Sequence, residues 1–323
     1  MKHFGGRIAV VTGGGTGMGR ELVRQLAAEG CHVAMCDVSA ENMAETRALA
    51  LQKAPAGARV TATVADVADE RQLEVFRDAV IREHATEHVN LVFNNAGIGA
   101  GGSFIRDTRA DWERTFGVCW YGVYYGTRVF LPLLIKASEG HLINTSSVNG
   151  FWATLGPQTS HTAYSAAKFA VKGFTEALIN DCRLNAPHVK VSLVMPGHIG
   201  TSIVINTARM MGREPKSLTS EQLEETRAMI ARMGFEVGGV GDDMLRELLQ
   251  QRAEAFRDQA PMSASDAAKV ILDGVRAERW RILVGRDAEV LDTMVREAPE
   301  EAYEASFFTR FTKAAGWAFG GRS

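Results

Sequence analysis

Short apolar runs alternate with amphipathic stretches through the first two-thirds of the chain. Ile8-Ala9-Val10-Val11 reads as a strand, and Glu21 to Glu29 as a helix with Leu22, Leu26 and Ala27 on one side. His32-Val33-Ala34-Met35-Cys36 predicts a second strand, followed by a helix over roughly Ala40 to Lys53. Val60 to Val64, Asn90 to Phe93, His141 to Thr145 and Val189 to Val194 continue the series, with helices fitting between them. Strands this short and continuously apolar suit a parallel sheet covered on both faces. Repeated strand–helix units joined by right-handed crossovers predict an α/β, doubly wound sheet.

Three regions depart from that rhythm. Asp111 to Lys136 is apolar almost all round, through Trp112, Phe116, Trp120, Tyr121, Tyr124, Tyr125 and Phe130. A helix facing one core needs a single stripe, so the surplus predicts a second buried side, most simply a subunit interface. From Ser202 to Pro261 the strand pattern stops. Thr219 stands three residues before Gln222, a capping box that predicts a helix to about Met233. The glycine cluster Gly234 to Gly241 and a helix from Asp242 to about Gln259 follow, so 202–261 is expected to form a helical lid over a pocket. Beyond it come a helix over Ser263–Glu278, a strand over Arg281–Val284 and a helix over Asp287–Glu297. The tail, 299–323, carries Tyr303, Phe307, Phe308, Phe311, Trp317 and Phe319, with Tyr303, Phe307 and Phe311 expected on one helical face. Docking on the core or a neighbouring subunit is the favoured reading. A weak membrane-surface contact is the alternative, since Arg310, Lys313 and Arg322 are interspersed.

At 323 residues, 46% hydrophobic and 23% charged, the chain can bury a large core, and 1–323 is expected to be one domain. A net charge of −2 without a basic run argues against nucleic acid. Cys31, Cys36, Cys119 and Cys182 lack metal or disulfide spacing, so reduced, mostly buried thiols in a cytoplasmic protein are expected, with no metal site. The first residues run straight into a strand, so no leader is expected. Val118 to Ile135, the most apolar long stretch, carries Thr127, Arg128 and Pro132 and reads as a buried helix.

Candidate chemistry centres on Tyr164-Ser165-Ala166-Ala167-Lys168, which puts a phenol and an ammonium one helical turn apart. A free tyrosine, with a pKa of roughly 10, is a poor base at neutral pH. A fixed cation nearby favours phenolate, so the pair is a candidate proton-transfer device. Thr12-Gly13-Gly14-Gly15-Thr16-Gly17-Met18-Gly19 lies between the first strand and the first helix. Its glycines permit close backbone approach, and the helix N-terminus offers N–H groups to a pyrophosphate. Asp37 ends the second strand, where its carboxylate can hold ribose hydroxyls and repel a 2′-phosphate. Val38 follows it, not arginine, which argues for NAD over NADP. The alternative is that Asp37 only caps the next helix.

With the glycine loop, Asn94-Asn95-Ala96-Gly97, Ser146-Ser147, Tyr164/Lys168 and Pro196-Gly197 in this order, the chain resembles the short-chain dehydrogenase/reductases, closely over about 5–200 and loosely over 262–298. The resemblance implies a Rossmann-type sheet of seven parallel strands. It implies that Gly13, Gly15, Thr16, Gly17, Met18, Gly19 and Asp37 hold the dinucleotide, with Asp66 and Val67 flanking adenine. It implies Asn94, Ala96 and Gly97 along the cofactor, and Pro196, Gly197, Ile199 and Thr201 beside the nicotinamide. In the implied reaction Tyr164 exchanges a proton with a secondary alcohol or ketone, Lys168 lowers the tyrosine pKa and holds the ribose, and Ser147 hydrogen-bonds the substrate oxygen. The resemblance also implies a homodimer or homotetramer pairing through 111–136 and 163–183. An NADPH-dependent carbonyl reductase and a non-catalytic nucleotide-binding protein are the alternative functions.

Two departures stand out. Cys119 occupies the position where the family usually has asparagine, so a small buried residue is expected there, and not a catalytic one. The loop Val148–Ala163 is longer than usual. Phe151 and Trp152 either wall the substrate pocket or pack under the lid, and His161 is expected at the surface rather than as a second acid/base.

Overall fold

Seven strands form one parallel sheet: β1 (Ile8–Thr12), β2 (His32–Asp37), β3 (Val60–Val64), β4 (Leu91–Asn94), β5 (Gly140–Thr145), β6 (Val189–Pro196) and, after a two-stranded annex of β7 (Ile199–Gly200) and β8 (Met262–Ser263), β9 (Arg281–Val284). Their order across the sheet is β3-β2-β1-β4-β5-β6-β9. The order reverses between β1 and β4, so a crevice opens at the C-terminal ends of those strands, where ligands bind in such sheets. This computed structural model describes residues 1–100, 102–157, 159–232 and 236–316.

Both sheet faces are apolar because both are covered. Ala9 and Val11 point to one core, with Leu22, Leu26 and Ile271, while Ile8 and Val10 point to the other, with Leu73, Phe76 and Phe130. The same alternation sorts Val33 and Met35 from Ala34 and Cys36. Helices α1 (Gly17–Ala28), α2 (Ala40–Leu51) and α10 (Ala264–Arg276) supply the first cover. Helices α3 (Glu70–His84), α4 (Arg109–Phe116), α5 (Gly122–Lys136) and α6 (Thr162–Asn185) supply the second.

The long helix expected over 111–136 is two helices. A π-helical turn at Gly117–Tyr121 separates α4 from α5 and carries Cys119. Such a turn inserts an extra residue into the ladder and often marks a functional site.

The segment after β7 holds α7 (Ile203–Met210), α8 (Ser220–Arg232) and α9 (Asp242–Asp258), one helix more than predicted. The capping box is present: Thr219 N donates to Gln222 Oε1 at 2.9 Å, and Gln222 N to Thr219 Oγ1 at 3.2 Å. Part of the glycine cluster, at 234, lies outside the described residues. Leu218, Leu223, Ile230 and Leu245 make a small core of their own here.

After α11 (Arg286–Glu297), the tail helix α12 (Ala305–Ala315) docks on its own chain. Phe307 and Phe311 are buried against Trp152, and Phe308 stacks on the same indole. Trp152 Nε1 donates to Ala302 O at 2.6 Å. Trp152 therefore neither walls the substrate pocket nor packs under α7–α9; it is the anchor for the tail. Phe151 joins that cluster beneath the Arg281 guanidinium. Tyr303 precedes α12 and is exposed, off the face expected for it, with its hydroxyl accepting from Ala153 N at 3.3 Å. The expected Trp317, Phe319 and Arg322 lie outside the described residues. Among the described residues no helix is long and apolar enough to cross a membrane.

Candidate active site

The glycine loop joins β1 to α1. Gly13 has φ +66°, and a Cβ there would sit 2.8 Å from Ala96 Cα, so only glycine lets the loop lie against the end of β4. At the start of α1 the Thr16 side chain makes no capping bond, and the first turn holds no acid. The N–H groups of that turn are left for an anion. Met18 turns its side chain to the core, so it offers the loop only backbone.

Asp37 does more than cap α2, whose N-cap is Ser39, accepting from Asn42 N at 3.2 Å. One Asp37 oxygen accepts from Gly15 N at 3.0 Å and the other from Ser39 N at 3.1 Å. The carboxylate is thereby fixed beside the glycine loop. Arg20 braces the same loop from behind, donating through Nε and Nη2 to Gly15 O at 3.0 and 2.8 Å, and to Thr46 Oγ1 and Glu45. Sequence reasoning missed this brace. These groups fit the dinucleotide implied by the resemblance: uncapped N–H groups for phosphates and a rigid carboxylate for a ribose.

The remaining predicted cofactor residues divide. Asp66 is half-buried at the end of β3, but its carboxylate meets Arg114 Nη1 at 2.6 Å, a partner 48 positions away that no sequence spacing signals. The Val67 side chain is buried against Gly122 of α5. The Asn94 side chain points inward, donating to Asn144 Oδ1 at 2.9 Å and Thr127 Oγ1 at 3.1 Å. It locks β4, β5 and α5 together and does not line the crevice. Asn95 and Ala96 do reach the loop, their N–H groups donating to Thr12 Oγ1 at 3.0 and 3.1 Å. Gly97 lies beside Lys168 Nζ.

Past β6, Gly197 packs so tightly on the buried Asp287 carboxylate that a Cβ would overlap it, and His198 N donates to Asp287 Oδ2 at 2.6 Å. Asp287 thus anchors the Pro196-Gly197 segment, another long-range role invisible in the sequence. The Ile199 side chain joins the core, while Thr201 abuts Gly17 of the loop.

Ser147, Tyr164 and Lys168 converge at the ends of β5 and α6. The Tyr164 hydroxyl lies within reach of the Ser147 side chain. Ser147 Oγ accepts from Asn149 N at 3.2 Å, which leaves its own O–H to donate. Ser146, its neighbour, is structural: its hydroxyl donates to Lys168 O at 2.7 Å. Lys168 Nζ donates to Thr145 O at 3.0 Å and lies 5.4 Å from the Tyr164 ring centre. Two ammonium protons remain for a ligand.

The electrostatics differ from the expectation that Lys168 lowers the Tyr164 pKa. Burial pushes the Tyr164 phenol up, opposed by the Ser147 hydrogen bond. Burial also pushes the Lys168 ammonium down. Taking both groups out of water favours their neutral forms. The site can therefore present a neutral phenol as a proton donor. Cys119 is fully buried, as expected, and its thiol donates to Ile98 O at 3.3 Å.

His161 is a correction. It is half-buried, with its ring centre 4.7 Å from that of Tyr164. His161 stands at the N-cap of α6, three residues before Tyr164, and that spacing was the available signal. From the other side, α7 closes on the site: Asn206 Nδ2 donates to Thr16 Oγ1 and Gly99 N to Thr207 Oγ1, each at 2.9 Å.

Comparison with known proteins agrees with this geometry. The short chain dehydrogenase family model matches residues 7–212. The oxidoreductase SadH of Mycobacterium tuberculosis is 34% identical over 297 residues, 92% of each chain. Levodione reductase of Leifsonia aquatica is 32% identical over 221 residues, covering 68% of this chain and 79% of its own. Among solved structures, a short-chain dehydrogenase/reductase from Burkholderia phymatum in complex with NAD superimposes with a TM-score of 0.73 at 28% identity, covering 93% of this chain and 96% of its own. A metagenomic short-chain oxidoreductase in complex with NADP gives a TM-score of 0.53 at 29% identity, covering 60% and 83%. The chain belongs to the short-chain dehydrogenase/reductase family. It is an NAD(P)-dependent dehydrogenase/reductase.

Proposed function

We propose that this enzyme interconverts a secondary alcohol and a ketone, prefers NAD, and uses Tyr164 as the general acid/base. The observation that carries this is the convergence of the Ser147 hydroxyl, the Tyr164 phenol and the Lys168 ammonium at one buried strand end. When bound, the nicotinamide supplies or accepts the hydride. Tyr164 gives its proton to a ketone oxygen or takes one from a hydroxyl. Ser147, its lone pair engaged by Asn149 N, donates to the same oxygen. Lys168, held by Thr145 O, stabilises phenolate as it forms and directs its free protons to a ribose. Because burial pushes the phenol up, alcohol oxidation should rise with pH through the neutral range, and ketone reduction should fall at alkaline pH.

The fixed Asp37 carboxylate supports NAD. A 2′-phosphate would meet that charge, and Arg20, the nearby guanidinium, is turned to Gly15 O, Thr46 and Glu45. Helices α7 to α9 serve as the lid within a single catalytic domain. The half-exposed aromatic run Trp112, Phe116, Tyr121 and Tyr125 supports a homodimer or homotetramer paired through α4, α5 and α6.

Tyr164→Phe tests the reading. Turnover with NAD across a panel of secondary alcohols should drop by roughly 10²–10⁴-fold, while calorimetric NAD affinity stays within a few-fold. Retained turnover in that variant, or a wild type that favours NADP, would refute the corresponding half of the proposal.

A further inference from the structure

The His161 imidazole has no task in the reaction just described. Its backbone is firmly placed at the head of α6: Ser165 N donates to His161 O, and Thr162 N and Oγ1 both donate to Gly102 O, all at 3.0 Å. Trp112 Nε1 adds a bond to Thr162 Oγ1 at 3.2 Å. The ring is held tilted against Tyr164, 39° from its plane. Yet neither ring nitrogen bonds to any described residue.

Stacking alone does not need nitrogens, and a phenylalanine would serve it as well, so the two nitrogens are what the histidine adds beside Tyr164. Burial holds the imidazole down to about 4, so near neutrality it is uncharged and offers one N–H donor and one bare acceptor. Such a group does not attract a carboxylate or phosphate by charge. It suits a hydroxyl or a carbonyl.

We infer that His161 hydrogen-bonds a second substrate oxygen, one or two carbons from the carbon that reacts at Tyr164. The substrates are then uncharged compounds with two neighbouring oxygens: diols, hydroxyketones or diketones. The second oxygen is held and not changed. In the oxidising direction the carbinol carbon loses hydride to the nicotinamide and its hydroxyl loses a proton to Tyr164. This inference rests on the reaction proposed above.

The test is the ratio of kcat/KM for trans-1,2-cyclohexanediol to that for cyclohexanol, measured with NAD on the full chain at equal cofactor occupancy. Wild type should favour the diol at least tenfold, about 1.4 kcal/mol, the worth of one neutral hydrogen bond. H161F keeps the stacked ring and removes both nitrogens, and should bring the ratio within about twofold of unity. H161Q, which restores a donor and an acceptor, should recover at least threefold preference. His161→Leu replaces H161F if that variant does not fold. A wild type that oxidises both compounds alike, or a ratio unmoved in H161F, overturns the inference and leaves the reaction standing. No turnover of any mono- or dioxygenated compound in either direction overturns the reaction, and this inference with it.

Discussion

Leu26 and Leu223 are both fully buried leucines, but they are buried in different kinds of surroundings. Leu26 lies in a core built from α1, α2, α10 and all seven strands of the sheet, with Phe4, Val33, Ile271 and Val284 among its members. Leu223 lies with Leu218, Ile230 and Leu245, walled by the partly buried Val237, Val240 and Leu249, all from the excursion between β7 and β8. The glycine loop, Asp37 and the Ser147/Tyr164/Lys168 group all stand on the first kind of foundation. Helices α8 and α9 of the proposed lid stand on the second. The cofactor end is thus built to be rigid, and the proposed lid is built so that its packing can change without disturbing the sheet.

Gly19→Ala strikes the rigid side hardest. A Cβ at this position would overlap Gly13 O and lie 2.7 Å from Asn95 Nδ2, and the Gly13 backbone cannot yield. Overpacking of this kind costs about 1–3 kcal/mol, or a fall in Tm of roughly 5 °C for a chain of this size. Calorimetric NAD affinity should fall at least tenfold, because Gly13 and Asn95 shape the loop. Unchanged affinity would mean that the loop adapts, and the contrast with the lid would lose its first half.

Acid should weaken the same side by a different route. Ser192 Oγ donates its one proton to Arg279 O at 2.6 Å, so the His141 Nε2 that lies 2.7 Å from that oxygen must be the donor to it. Its Nδ1 is buried without a partner among the described residues, so a second ring proton would have no acceptor, and burial keeps His141 neutral in the fold by pushing it down to about 3. Unfolded, the same ring titrates near the ordinary histidine value of about 6.5. The unfolded chain takes up the proton first as pH falls, so stability is full above about 6.5 and is lost as pH drops toward 3. At pH 5 the loss from this residue is about 2 kcal/mol. His141→Asn should flatten the fall in Tm between pH 7 and 5 relative to wild type. Parallel curves would show that the ring does not govern the acid response.

What the sequence disclosed follows from how local each feature is. The seven sheet strands were legible because a covered parallel sheet needs unbroken apolar runs, and Ile8-Ala9-Val10-Val11 serves two cores at once. The glycine loop and Asp37 were legible because their chemistry is contained in a few consecutive residues. Asp66–Arg114, His198–Asp287 and Thr16–Asn206 were not, since each pair meets only through the fold. Trp152 was misread because its partners arrive from α12, about 150 positions later. The Asp111–Lys136 run hid its π-helical turn because the all-round apolar pattern gives no phase in which an inserted residue would show. His161 was the nearest miss: its spacing from Tyr164 was visible, but whether its ring turned inward depended on Gly102 holding Thr162.

Leu223→Ala probes the other half of the comparison and should have the smallest global effect. Removing a buried leucine side chain costs about 2–5 kcal/mol where it is packed. Here the lost contacts belong to α8, α9 and the turns on either side of α8, and none belongs to the sheet. The main thermal transition should therefore move by no more than about 2 °C, whereas Leu26→Ala, in the sheet core, should lower it by about 5 °C or more. Limited proteolysis should become several-fold faster within 202–261, and the substrate KM should rise while NAD affinity holds. A single shared transition that drops equally in both variants would mean that the excursion unfolds with the sheet, and the lid would then be a rigid wall rather than a movable cover.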